Sequence, residues 1–236
     1  MQQNLTGRGV VVTGGSSGIG RAIAEAFIAN GDRVIILDRA GTDELAIGVD
    51  VSQEDSVREA FALARERLGT IDILVNSAGL LTESPMQDMT LAMWNETLSV
   101  DLTGVFLCCR EVVGEMRQQK WGRIINIASQ LAIKGGTGLS HYAAAKAGVV
   151  AFTKSLALEV AGDNVLVNSI APGPIETPLV QGISEEWKIA KRAELPLGRF
   201  GSAAEVAPTA LLLASEPGGN LYVGQTLGPN SGDVMQ

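Results

Sequence analysis

The chain has 236 residues, of which 46% are hydrophobic and 19% charged, and its formal net charge at pH 7 is −8. This size is typical of one α/β domain with a substantial core, which we expect to span residues 1–236. The acidic balance argues against a surface that binds nucleic acid or an anionic membrane, because such surfaces cluster Lys and Arg.

The sequence also argues against a membrane span, a secretory leader and a metal site. It contains no run of about 18 apolar residues, and its first residues lack the basic start and apolar run of a signal peptide. We therefore expect a cytoplasmic protein. Cys108 and Cys109 are adjacent, so they cannot supply the spaced ligands of a zinc site or a disulfide framework, and we expect both to be buried in a helix.

Short runs rich in Val and Ile alternate along the chain with longer segments of helical period. Strands are predicted over residues 9–13, 33–38, 45–49, 71–76, 123–128, 165–170 and 221–227. Helices are predicted over residues 19–30, 54–68, 91–118, 142–161 and 203–215. Most strands are apolar at consecutive positions, as expected when both faces are covered. The alternation predicts a doubly wound parallel sheet of about seven strands with helices on both faces.

Two segments depart from this alternation. The connection between residues 38 and 50 is too short for a helix and a strand, so we expect a reduced turn there. Residues 178–199 combine Trp187, two prolines and several charges, and we predict a mobile flap over the site. Within this flap Lys188, Lys191 and Arg192 alternate with glutamates, which is typical of a solvated helix face.

A glycine-rich turn follows the first predicted strand and reads Thr13-Gly14-Gly15-Ser16-Ser17-Gly18-Ile19-Gly20. Residues without Cβ allow a sharp turn and a close approach of phosphate oxygens to the backbone. The start of the next helix adds free N–H groups and a partial positive charge. With a strand before it and a helix after it, the turn predicts a dinucleotide site rather than an empty tight turn. The cofactor-binding candidates in this turn are Gly14, Ser16, Ser17, Gly18, Ile19 and Gly20.

Asp38 stands at the end of the second predicted strand, 18 residues after Gly20. A carboxylate at this distance can accept hydrogen bonds from the adenosine ribose hydroxyls. The same carboxylate would repel a 2′-phosphate, so Asp38 favours NAD over NADP. The neighbouring Arg39 favours the opposite choice, because a guanidinium can pair with such a phosphate. We predict NAD as the cofactor, with NADP as the alternative.

Tyr142 and Lys146 are one helical turn apart, so the phenol and the ammonium share one helix face. A free phenol has a pKa of about 10 and is a poor base near neutrality, and a nearby cation stabilises its ionised form. We predict Tyr142 as the general acid or base and Lys146 as the cation that adjusts its pKa. Ser129, which follows the strand predicted over residues 123–128, is predicted to bind the substrate oxygen as charge develops on it.

Together these motifs resemble the short-chain dehydrogenase/reductase family over nearly the whole chain, which implies a Rossmann-type fold. Further cofactor-binding positions implied by the resemblance are Asp50 and Val51 near the adenine, Asn76, Ala78 and Gly79 in the motif Asn76-Ser77-Ala78-Gly79, and Pro172, Gly173, Ile175 and Thr177 near the nicotinamide. The resemblance also implies that Tyr142 and Lys146 contact the cofactor, with Lys146 on the nicotinamide ribose.

The chain departs from the family at Asp101, where the family usually has an Asn that belongs to a proton relay. A carboxylate close to Lys146 would stabilise the ammonium and offset part of its effect on Tyr142. We therefore expect a catalytic role for Asp101 with an altered pH profile. His141, the single histidine, is expected to form a wall of the substrate pocket or to face solvent. Trp187 and Met86 are expected either to line the pocket or to pack elsewhere.

These features predict an NAD-dependent oxidoreductase that transfers a hydride between a secondary alcohol or ketone and the nicotinamide. The alternative is an NADPH-dependent reductase of 3-oxoacyl thioesters. A regulatory protein that binds nucleotide without turnover is a remote alternative, because such a protein would be expected to have lost Tyr142 or Lys146. Family members of this size are commonly tetramers or dimers, which implies a homo-oligomer that pairs the helices predicted at 91–118 and 142–161.

Overall fold

A parallel sheet of seven strands runs through the part of the chain that the computed structural model describes, residues 6–41, 44–180 and 184–235. In chain order the strands are β1 Gly9–Thr13, β2 Arg33–Asp38, β3 Ala46–Gly48, β4 Ile73–Asn76, β5 Gly122–Ile127, β6 Val165–Ile170, β7 Ile175–Glu176, β8 Gly201–Ser202 and β9 Thr226–Leu227. The sheet has the order β3-β2-β1-β4-β5-β6-β9, and β7 pairs separately with β8. The order reverses direction at β1, which is where doubly wound sheets bind ligands.

The helices pack on both faces of this sheet. In chain order they are α1 Gly18–Ala29, α2 Glu54–Leu68, α3 Leu91–Leu98, α4 Gly104–Gln119, α5 Leu131–Lys134, α6 Ser140–Val160, α7 Glu185–Glu194 and α8 Ala203–Leu213. A π-helical turn, Ser99–Thr103, joins α3 to α4, and short 3₁₀ turns occupy Ala161–Asp163 and Pro178–Val180. None of the helices in the described ranges is long and apolar enough to cross a membrane.

Consecutive side chains of β1 enter two different hydrophobic cores. Val11 belongs to the core that includes residues of α2, α4 and α6, whereas Val10 and Val12 belong to the core that includes residues of α1 and α8. All three are fully buried, and burying a side chain of this kind stabilises the fold by roughly 1.5–3 kcal/mol. This alternation explains why three consecutive residues of the strand are apolar.

The predicted architecture is confirmed, and the differences concern length and continuity. The first, second and sixth predicted strands have the observed bounds, but the last is reduced to Thr226–Leu227. The single helix predicted over residues 91–118 is interrupted by the π turn, because the apolar period alone does not reveal one extra residue per turn. No helix occupies residues 39–41 or 44–45, so in its described part the short connection is a turn as predicted.

Apart from α7, which has ten residues, the elements missed by the sequence analysis are short. The helix α5 is a single turn of four residues, too short for a helical period to be detected. The strands β7 and β8 have two residues each. The C-terminal segment, residues 228–235, returns to this region, where the Gly173 amide donates to the Pro229 carbonyl at 3.1 Å.

Candidate active site

A cavity of about 810 Å³ opens beyond the carboxyl ends of β1, β2, β4, β5 and β6. Most of the predicted site residues line it: Gly14, Ser17, Gly18, Ile19, Gly20, Asp38, Arg39, Asp50, Val51, Ala78, Gly79, Ser129, Tyr142, Lys146, Pro172, Gly173, Ile175 and Thr177. Ser16, Asn76 and Asp101 are not among its lining residues. The fold therefore brings the glycine-rich turn and Tyr142, the two ends of the predicted site, into one continuous cavity.

The turn between β1 and α1 requires its glycines for two separate reasons. Gly14 and Gly18 have positive φ values of 66° and 54°, a region that residues with Cβ seldom adopt. Gly20 has an ordinary φ, but a Cβ there would lie 2.3 Å from the Gly14 carbonyl oxygen. Thr13 supports the same turn, since its Oγ1 accepts from the amides of Ser77 and Ala78 at 3.1 Å each. The turn thus leaves open backbone at the cavity.

Asp38 is held at the end of β2 by two backbone amides. Its Oδ2 accepts from the Ser16 amide at 3.0 Å and its Oδ1 from the Ala40 amide at 3.1 Å. Ser16, which we predicted as a cofactor-binding residue, therefore uses its amide to bind the carboxylate of Asp38. Arg39 is exposed at the same end of the cavity.

Asp50 follows β3 and is fixed by its neighbour. Its Oδ1 accepts from the Ser52 hydroxyl at 2.7 Å and from the Ser52 amide at 3.0 Å. The side-chain bond from Ser52 is the largest cause that lowers the pKa of Asp50, and burial opposes it. Asp50 therefore presents an ionised, oriented carboxylate at the cavity.

Asn76 ends β4 and points into the protein interior. It is buried, and its Nδ2 donates to Asn126 Oδ1 at 2.8 Å and to Cys109 Sγ at 3.3 Å. Asn126 in turn donates to Thr153 Oγ1 at 2.9 Å. This chain of buried amides connects β4, β5 and α6, so the observed contacts of Asn76 position elements instead of forming the cavity wall.

Ser129, Tyr142 and Lys146 come together where β5 ends and α6 begins. The Ser129 side chain is close enough to Tyr142 to lower the pKa of its phenol, and Ser129 Oγ accepts from the Leu131 amide at 3.1 Å. Lys146 Nζ donates to the Ile127 carbonyl at 3.1 Å and lies 5.6 Å from the centre of the Tyr142 ring. All three residues are at most 8% exposed. A bound carbonyl oxygen would meet two hydroxyl groups here.

The electrostatics of Tyr142 favour the neutral phenol. Burial is the largest cause and raises the pKa of Tyr142, and the carboxylate of Asp101 raises it further. Lys146 and the nearby Ser129 side chain lower the pKa of Tyr142, but they do not outweigh burial. Lys146 thus acts in the predicted direction, yet the protein's own groups leave the phenol protonated near neutral pH.

Asp101 occupies the π turn and is completely buried. Its Oδ1 accepts from the Leu80 amide at 2.8 Å, and its Oδ2 lies 3.6 Å from Lys146 Nζ, with no hydrogen-bond partner among the described residues. Burial raises the pKa of Asp101, and the positive charge of Lys146 offsets this increase only in part. For Lys146 burial acts in the opposite direction and lowers the pKa, but Asp101 and Tyr142 outweigh burial, so that the pKa of Lys146 is raised. The predicted proximity of Asp101 and Lys146 is therefore observed.

His141 does not occupy either of its predicted places. It is completely buried and is not among the residues that line the cavity. Its Nε2 lies 2.9 Å from Thr82 Oγ1, a hydrogen bond that joins α6 to the loop after β4. Both predictions for His141 were wrong because its helix face turns toward that loop, which the sequence does not show.

In the segment predicted as a mobile flap, residues 178–199, the helix α7 lies beside the cavity; residues 181–183 of this segment lie outside the described ranges. Trp187 lines the cavity and packs edge-on against Phe200, with ring centres 6.3 Å apart. Met86 is 65% exposed and is absent from the cavity lining. Lys191 is buried and paired with Asp233, so the solvated face predicted for it was wrong.

Five residues near the catalytic group were missed by the sequence analysis: Gln130, Lys134, Lys191, Glu194 and Asp233. The first four line the cavity. Their partners are as far as 103 positions apart in the chain, so no local motif could indicate them. Only Gln130 could have been suspected from the sequence, because it directly follows Ser129.

Comparisons with known proteins agree with this geometry. The short chain dehydrogenase family model matches residues 8–188. The chain is 41% identical over 231 residues to the 3-oxoacyl-(acyl-carrier-protein) reductase FabG of Aquifex aeolicus, covering 92% of this chain and 93% of that protein. It is 37% identical over 243 residues to FabG of Escherichia coli, covering 98% and 99%. A crystal structure of gox2181 superposes with a TM-score of 0.91 at 32% identity, covering 97% of this chain and 96% of that one.

Proposed function

The chain belongs to the short-chain dehydrogenase family, whose members are oxidoreductases that act on CH–OH or keto groups, and we propose that it reduces 3-oxoacyl thioesters. The observation that carries this proposal is the near full-length similarity to proteins named as 3-oxoacyl-(acyl-carrier-protein) reductases. These relatives support thioester reduction, our alternative, better than NAD-dependent oxidation of an unspecified alcohol.

The residues present fit a nicotinamide dinucleotide. The glycine turn places residues without Cβ, Gly14, Gly18 and Gly20, in the lining at one end of the cavity. Asp38 and Asp50 offer carboxylates for ribose and adenine groups at the same end. When bound, the reduced nicotinamide supplies the hydride for the keto carbon.

The protein's part is to orient the ketone and deliver a proton. Ser129 and Tyr142 donate hydrogen bonds to the keto oxygen, and Tyr142 transfers its phenolic proton to that oxygen as negative charge develops there. The raised pKa of Tyr142 suits this role, because a general acid must carry its proton at the working pH. Lys146, held by the Ile127 carbonyl, stabilises the phenolate that remains.

Two cofactor forms are candidates, and each has an observation in its favour. NADPH is the first, because the similarity to 3-oxoacyl reductases supports a biosynthetic reduction and the family's anabolic reductases more often use NADPH; Arg39 is the residue available for its 2′-phosphate. NADH is the second, because Asp38 lines the same end of the cavity and a carboxylate repels a 2′-phosphate.

The test of the reaction is the reduction of acetoacetyl thioesters by the full chain and by Tyr142→Phe. General acid–base catalysis contributes about 10²–10⁴-fold, so kcat should fall by at least about 100-fold in the variant. Nucleotide binding, followed by fluorescence of the reduced nicotinamide, should weaken far less than kcat falls, because the glycine turn, Asp38 and Asp50 remain in the cavity. A parent that ignores 3-oxoacyl thioesters, or a variant with the parent's rate, would refute the proposal.

The cofactor form is tested by measuring kcat/KM for NADPH and NADH with Asp38→Ala and Arg39→Ala. If NADPH is the donor, Arg39→Ala lowers kcat/KM for NADPH and leaves that for NADH unchanged. If NADH is the donor, Asp38→Ala lowers kcat/KM for NADH, since the ribose hydroxyls lose their acceptor. The parent's ratio of the two values decides between the candidates.

A further inference from the structure

A single carboxylate connects three segments beside the candidate substrate site. Asp233, in the C-terminal segment, accepts at Oδ1 from Lys134 Nζ at 2.7 Å and from Lys191 Nζ at 2.8 Å. Its Oδ2 accepts from Gln130 Nε2 at 2.5 Å. Gln130 directly follows Ser129 and precedes α5, Lys134 is the last residue of α5, and Lys191 lies on α7. We call these four residues the Asp233 cluster.

Burial distinguishes Asp233, Lys191 and Gln130 from the residues of ordinary surface ion pairs, whereas Lys134, the fourth member of the Asp233 cluster, is 34% exposed. The side chains of Asp233 and Lys191 are 7% and 10% exposed, and Gln130 is 4% exposed. Exposed pairs contribute little because water screens them, whereas a buried charge that loses its partner is strongly destabilised. Lys191 has one other ionic partner in the described ranges, Glu194, whose side chain is 65% exposed. Asp233 is therefore the main buried partner of this ammonium.

The cluster lies in the wall of the cavity. Gln130, Lys134 and Lys191 all line it together with Tyr142. On α7, Trp187 and Ala190 line the same space. The position of α7 therefore sets the shape of the part of the cavity that adjoins the catalytic hydroxyl groups.

We infer that Asp233 is a positioning residue that fixes α7 against α5 and so determines how tightly the substrate's acyl portion is held. The inference rests on the proposed function in that it assigns this part of the cavity to the substrate. Asp233 acts through α7 and does not touch the reacting atoms. Its loss should weaken substrate binding more than it slows the chemical step.

The first experiment measures amide hydrogen exchange in α7 and does not depend on activity. Asp233→Asn should exchange at least about tenfold faster over Glu185–Glu194, which corresponds to opening that is ~1.4 kcal/mol easier. Asp233→Glu should restore slow exchange. Asp163→Asn is the matched control, because Asp163 also binds two cations, Arg117 at 2.7 Å and Lys120 at 2.5 Å, and is absent from the cavity lining.

A second variant guards against loss of the fold. Lys191→Gln removes the bond to α7 but leaves Asp233 bound to Lys134 and Gln130, so exchange should accelerate in α7 and stay slow in α5. If α7 exchanges at the parent's rate in every variant that folds, or equally fast in Asp163→Asn, the inference is overturned.

The second experiment measures steady-state kinetics on a 3-oxoacyl thioester. Asp233→Asn should raise KM by about tenfold, which corresponds to ~1.4 kcal/mol, with kcat within about twofold and nucleotide affinity unchanged. Faster exchange in α7 with an unchanged KM would overturn the role in substrate binding. A parent inactive on thioesters would refute the proposed function instead, while the exchange data would still decide whether Asp233 holds α7.

Discussion

Asp101 shows how one buried carboxylate affects the pKa values of two candidate catalytic groups in the same direction. It raises the pKa of Lys146 and also that of Tyr142, because a negative charge favours the protonated form of both. An amide at this position would accept the same hydrogen bond from the Leu80 amide without the charge. The difference between Asp and Asn is therefore mainly electrostatic.

We predict that Asp101→Asn shifts the pH profile of ketone reduction. Reduction needs the protonated phenol, so the rate falls as pH rises through the pKa of Tyr142. Since Asp101 raises that pKa, its removal should move the alkaline limb of kcat/KM to lower pH. Asp163→Asn should leave the profile in place, and superimposable curves for Asp101→Asn would exclude Asp101 from the mechanism.

At the residue scale, the sequence predicts the groups whose spacing is local. Tyr142 and Lys146 share a helix face, and Ser129 ends a strand, so their meeting follows from local geometry and the family resemblance. His141 and Asp233 depend on loops and on partners far along the chain, Thr82 and Lys134. No periodicity records such contacts, and the sequence analysis misplaced the first and missed the second.

At the scale of elements, a capping arrangement fixes the start of α8 next to the cavity. Glu205 Oε2 accepts from the Ser202 amide at 2.9 Å, and its two carboxylate oxygens bind the guanidinium of Arg199 at 2.6 and 2.9 Å. The bond from Arg199 is the largest cause that lowers the pKa of Glu205 to about 2. The start of α8 is thus stabilised by an ionised carboxylate.

We predict that this stabilisation depends on pH with a defined sign. A depressed pKa contributes stability above the unfolded value of about 4.3, and the contribution disappears as pH falls toward the folded value. Glu205→Gln should therefore lower Tm at neutral pH, and the gap to the parent should close as pH falls below about 4.3. Thermal unfolding of both proteins between neutral pH and a pH below about 4.3 measures this difference in Tm.

The control for this prediction is Glu25→Gln. Glu25 forms an exposed pair with Arg21, whose side chain is 59% exposed, so its removal should change Tm less than the removal of Glu205 does. Equal losses for the two variants at neutral pH, or a gap for Glu205→Gln that stays constant with pH, would contradict the capping role.

The sheet and its long helices were predictable because their burial leaves a period in the sequence. Strands covered on both faces carry consecutive apolar residues, as β1 does over Val10–Val12 and β6 over Val165–Val167, and α2 was predicted with its observed bounds. The π turn left no such trace, since it changes the helix by one residue at Asp101. Neither did α5 and β8, whose formation depends on contacts with neighbouring segments instead of their own composition.

For the whole molecule, we propose a homo-oligomer that pairs α4 and α6. Phe106 on α4 is 42% exposed and Leu158 on α6 is 85% exposed, and large exposed apolar side chains on helices are typical of contact surfaces. The family resemblance implies the same two helices. These observations support assembly without choosing between a dimer and a tetramer.

Light scattering on the purified chain tests this assembly. We expect the mass of two or four chains at micromolar concentration. The variant Phe106→Glu places a charge at the proposed interface and should lower the measured mass. Arg58→Glu, which changes an exposed residue of α2, should leave the mass unchanged. A monomeric parent would contradict the proposal.

The buried chain Asn76, Asn126 and Thr153 restricts how this protein can diverge. An apolar substitution at any one of these three residues leaves the polar group of its neighbour buried without a hydrogen-bond partner, which lowers the stability of the fold by about 1–3 kcal/mol. Replacing all three by apolar residues of matching shape would be nearly neutral. Each single step lowers stability before the full exchange restores it. Lineages that share this fold should therefore keep the trio or replace it as a unit, and intermediates should be short-lived.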